Sequence, residues 1–111
     1  MSDALARYRD QQLITAAEHA AGLQFAEDHR AARRWRDQRR GEDRAAATRY
    51  AKACEELDDL RFVALAVAVM GLGVATFSER MSRPFSTGMP ELRQALRVLA
   101  GFYARHEEQA A

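Results

Sequence analysis

The chain has 111 residues, 48% hydrophobic and 30% charged, with 17 basic against 16 acidic side chains and a net charge of +1. That size is one domain, residues 1–111, and that balance excludes wholesale disorder. The single cysteine, Cys54, excludes an intrachain disulfide and makes a reducing, cytoplasmic compartment the expected location.

Much of the apolar content is alanine, which covers little surface per residue, and only nine aromatic residues add bulk. A core built this way is thin, and thin cores gain stability by oligomerising. Sixteen of the seventeen basic residues are Arg, Lys52 being the exception. Arg grips carboxylate and phosphate with two parallel hydrogen bonds, which Lys cannot do. No basic stretch followed by an apolar run opens the chain, so a leader peptide is not expected.

Alternating strand patterns are absent, and no proline precedes Pro84, so the expected fold class is all-α. Ser2 or Asp3 can cap a first helix spanning about residues 3–40. Its apolar line runs through Leu5, Tyr8, Ile14, Ala17, Ala21, Phe25, Ala32 and Trp35. Asp28 lies on the same line and needs a partner if buried. Arg39-Arg40-Gly41-Glu42-Asp43 reads as stop and start, with Gly41 at the helix end and acids opening the next helix. One continuous helix through Gly41 is the alternative.

A second helix is expected over about 43–82. Ala46, Tyr50, Ala53, Leu57, Leu60, Ala64, Val67, Gly71 and Val74 recur at 4-3-4-3 spacing, a heptad-like seam. Within it, Phe62 to Phe77 carries no charge. Sixteen helical residues rise roughly 24 Å, short of the roughly 30 Å of a bilayer's hydrocarbon. Burial on all sides in a protein is therefore expected, with a single membrane span over residues 60–78 as the alternative. The small residues Ala64, Ala68, Gly71 and Ala75 make a face that a neighbouring helix can approach closely. Arg83 to Met89 forms a loop, with Phe85 and Met89 folding back onto the core. A last helix spans about 89–108, with Leu92, Leu96, Leu99 and Tyr103 inward and Arg93 and Arg97 outward. Together these give a hairpin of two long helices plus a shorter C-terminal helix, a small bundle completed by a second copy or a partner.

Chemistry-bearing patterns are few. His19, His29 and His106 form no metal-binding spacing, so no metal and no cofactor are expected. Cys54 is followed by Glu55 and Glu56, whose charge disfavours a thiolate, so no catalytic residues and no enzymatic activity are expected. The strongest local signal is the set Arg30, Arg33, Arg34, Trp35, Arg36, Arg39 and Arg40. It reads as a solvated helix end, as a docking face for nucleic-acid phosphates with Trp35 as a stacking ring, or as a site for an acidic protein. The first helix would set Glu27 and Asp28 against Glu55, Glu56, Asp58 and Asp59, leaving both charged patches for an outside partner. The expected protein is thus a non-enzymatic assembly subunit. Its partners are itself or a larger complex, with DNA or RNA contacted through the backbone and a membrane less favoured.

Overall fold

The computed structural model describes residues 3–110, with side chains through Glu107. Every element among them is helical: α1 (Ala4–Asp10), α2 (Ala16–Gln38), α3 (Arg44–Leu57), α4 (Arg61–Ala64), α5 (Val74–Arg80) and α6 (Phe85–Ala110). Short 3-10 turns lie at Gly41–Asp43 and Asp58–Leu60, and a π turn extends α4 through Leu65–Val69.

The expected first helix is two. Asp3 caps α1, its Oδ1 accepting from the Ala6 N–H. Ser2, the other candidate cap, lies outside the described residues. The chain then reverses at Gln12, whose φ is 63°, and restarts at Thr15. Thr15 Oγ1 accepts from the Glu18 N–H while Glu18 Oε1 accepts from the Thr15 N–H, a reciprocal capping box. This buries Glu18 to 4% exposure, with Arg97 Nε at 3.7 Å from its second oxygen. The restart lets α1 lie across α2. Gly22 marks the crossing, since a Cβ there would stand 2.7 Å from a Leu5 methyl and 3.2 Å from a Leu96 methyl.

The expected second helix is also interrupted. Asp58 takes φ 53° and ends α3. A second break, Met70–Gly73, opens the most apolar part of the chain, with Gly71 at φ 74°. That conformation is costly for a side chain with a Cβ, which is why a glycine can stand there. Tyr8 Oη accepts the Val74 N–H and anchors the far side of the break. Despite the breaks, all nine residues of the 4-3-4-3 seam are buried or half-buried. Ala53, Leu57, Ala64 and Val67 are each at 2% exposure or less.

The last helix begins at Phe85, earlier than expected, with Pro84 just ahead of it and Pro90 inside. Phe85 does not fold back; it is 65% exposed, whereas Met89 packs on the core. Leu92, Ala95, Leu96 and Leu99 are fully buried against α2 and α4, and Arg93 and Arg97 face outward. Within Phe62–Phe77, the bends place Val63, Ala64, Ala66, Val67 and Phe77 inside the chain's own core. Phe62 at 46% and Met70 at 63% remain exposed.

Candidate functional site

The α2–α3 corner gathers the arginines. Residues 30–44 hold seven Arg against Asp37, Glu42 and Asp43, a local excess of four positive charges (7 − 3). α2 ends with Arg39 in the left-handed region at φ 52°, its N–H bonding the Trp35 carbonyl. A glycine usually occupies that position; Gly41, expected there, instead opens the 3-10 turn. The Arg39 guanidinium lies 5.4 Å from the Trp35 ring centroid, and that of Arg44 lies 6.0 Å away. Trp35 is thus already covered by two cations. Arg44, absent from the sequence-based set, begins α3, where a positive charge opposes the helix dipole. The ring face offers it a favourable alternative.

The seven candidate residues separate. Arg34 makes a two-point contact to Asp43, 3.2 Å to one oxygen and 3.1 Å to the other. Asp43 is 5% exposed, so Arg34 ties α2 to the start of α3. Arg30 pairs with Glu27 at 2.7 Å, Arg36 with Asp37 at 3.2 Å and Arg40 with Glu42 at 3.5 Å, with every side chain exposed. Exposed pairs of this kind contribute about 0–1 kcal/mol and exchange readily. Arg33 and Arg36 share one face of α2. Arg40 does not, because the left-handed turn at Arg39 takes it off the helix.

His29 stands one turn before Arg33 on that face, which the sequence pattern did not single out. Its Nδ1 lies 2.9 Å from Tyr50 Oη on α3. Burial lowers its pKa from the usual 6.5, and Arg33, Arg36 and Arg30 lower it further. Next to it, burial pushes the Tyr50 hydroxyl and the Cys54 thiol upward, so both stay protonated at neutral pH.

The anticipated clash of acids across the α2–α3 pair does not occur. Asp28 meets Arg49, with Nε and Nη2 each 2.7 Å from a carboxylate oxygen, and it also accepts from Gln24 and Tyr103. The pairing register is offset by roughly one turn from a hairpin centred on Gly41. Of the acidic residues on the facing strip, Glu56 is held by Arg105 of α6 at 2.6 Å. The charged patches are therefore partly neutralised within the chain.

The small-residue set is not one helical face. Ala64 is fully buried, Ala68 half-buried, Gly71 in the break and Ala75 exposed at the start of α5. Among the described residues no group of three or more His, Cys, Asp or Glu side chains is placed to hold a metal ion. No helix among them is long and apolar enough to cross a membrane. No protein-family model, curated protein or solved structure matches the chain.

Proposed function

We propose that the chain is a non-enzymatic helical interaction subunit, cytoplasmic, that docks on nucleic-acid backbone through its arginine-rich corner. One observation carries this: Arg33, Arg36, Arg39 and Arg44 are all exposed, the last two over the Trp35 ring, in a stretch with four excess positive charges. Arginines displayed in this way neutralise phosphates without reading bases. Trp35 is the support of the cation array, and the sequence-based role of an open stacking platform falls to Arg39 and Arg44 in front of it. Arg30 and Arg40 extend the array, since their exposed carboxylate partners give way to a phosphate at little cost. The protonated Cys54 and Tyr50 support the non-enzymatic part, because neither is activated as a nucleophile.

Assembly with a second copy or a larger complex is the other part of the proposal, through the exposed Phe62 and Phe85. The alternative of a single span over residues 60–78 lacks a continuous helix, since the backbone opens at Met70–Gly73.

The test is a titration with single- and double-stranded nucleic acid at several salt concentrations. Binding should weaken steeply with salt and show little sequence preference. Arg33→Gln with Arg36→Gln should shallow the salt dependence by about one unit of slope per lost contact. Absence of binding at low salt would remove the nucleic-acid assignment.

A further inference from the structure

Away from the arginine corner, the Met70–Gly73 break leaves a trough of about 800 Å³ between α1, α2 and the start of α5. Cavities of roughly 300–1,000 Å³ suit small ligands. Its lining is largely apolar: Leu23 on one wall and Val67, Met70 and Leu72 on the other. Leu23 is 48% and Met70 63% exposed, so the trough holds two of the chain's larger uncovered apolar side chains.

The polar groups at its rim are unequal. Asp3 is engaged as the cap of α1, and Arg30 is paired with Glu27. Arg7 differs. Its guanidinium lies 5.9 Å from the Tyr8 ring centroid, and no carboxylate among the described residues pairs with it. One of its terminal nitrogens comes within 3.7 Å of where a Cβ on Gly73 would stand, so the exposed guanidinium lies beside the open backbone. A planar guanidinium with no carboxylate partner among the described residues, set beside an apolar trough, complements a planar anion attached to an apolar body.

We propose that this trough binds a long-chain carboxylate, its hydrocarbon lying over Leu23, Met70 and Leu72 and its carboxylate on Arg7. The site is independent of Arg33 and Arg36. A carboxylate suits the single guanidinium fork, and a linear chain suits an open trough. Each methylene buried should tighten binding by a constant factor.

The experiment is calorimetric titration of the purified protein with octanoate, decanoate and dodecanoate below their micellar concentrations, and with decanol and decyltrimethylammonium. Affinity should rise roughly fourfold per added CH₂, which corresponds to about 0.8 kcal/mol each. Decanol should bind on the order of tenfold more weakly than decanoate, and the ammonium should not bind. Arg7→Gln should weaken decanoate on the order of tenfold and leave decanol unchanged. Leu23→Glu, at an exposed position where folding can be verified by circular dichroism, should abolish both. Equal affinity for carboxylate and alcohol, or indifference to both substitutions, would overturn the proposal. So would a wild-type dimer that takes no decanoate and dissociates on Leu23→Glu, since a second copy would then fill the trough.

Discussion

Asp28 on α2 and Arg49 on α3 form a two-point ion pair, both contacts 2.7 Å, with the carboxylate 1% exposed and the guanidinium side chain 25% exposed. Tyr103 of α6 donates to the same carboxylate at 3.2 Å. One buried anion thus joins the three longest helices. The two partners are not equivalent, because the arginine keeps some access to water and the aspartate has none.

That asymmetry sets the first prediction. Arg49→Met strands a buried carboxylate and should destabilise by about 3 kcal/mol, within the range for breaking such pairs. Asp28→Asn, which leaves a guanidinium that can reach water, should cost less, about 1–2 kcal/mol. Chemical denaturation of the two variants and the double mutant checks the order; equal costs would mean the pair is not the join.

Gly71 gives the second. Its φ of 74° lies where a Cβ is crowded, so Gly71→Ala should cost about 1–2 kcal/mol and Gly71→Asn less. A β-branched residue, Gly71→Val, should be worse than either. Thermal melts suffice. A neutral Gly71→Val would mean the break relaxes into helix.

A third prediction divides the arginines. Arg33→Gln and Arg36→Gln should weaken nucleic-acid binding and leave the melting temperature unchanged. Arg34→Gln should do the reverse, lowering the melting temperature because Asp43, 5% exposed, loses its partner. Parallel melts and titrations separate them.

The fourth concerns pH. His29 in the folded chain binds its proton less readily than the 6.5 of an unperturbed imidazole, burial first and Arg33 next. The unfolded chain therefore takes up that proton first as pH falls. Stability from this group is unaffected above about pH 6.5 and declines as pH drops below it. Melts of wild type and His29→Gln across pH 5–7.5 should converge at the low end and diverge above. Identical profiles would show that His29 is not the responsible group.

The helical class and the inward seam were legible because glycine, proline and 3-4 spacing are local signals. The break ahead of α2 was also written locally. Thr15-Ala16-Ala17-Glu18 is a capping box, and the apolar line skips from Tyr8 to Ile14 with only Gln11 and Gln12 at the in-phase positions between them. A helix drawn from residue 3 to 40 passes over both. The break at Gly71 and Gly73 was harder, since two glycines inside an apolar run are equally compatible with close helix packing. Asp28 signalled a need for a partner but not which one. Arg49 is found only once α3 is placed beside α2, a tertiary fact that no local pattern holds. The same is true of Arg44 over Trp35 and of Arg7 above the trough.

The hydrogen bond from the Val74 N–H to Tyr8 spans 66 residues of sequence. α1 has seven residues, too few to persist as a helix on its own. Its docking and the closure of the Met70–Gly73 break should therefore form one opening unit that detaches without unfolding α2, α3 and α6. In native-state hydrogen exchange the Val74 amide should keep pace with the amides of α1, at an opening energy below that of Leu96 and Leu99. Tyr8→Phe should speed exchange at Val74 and across α1 while leaving α6 amides at the global rate.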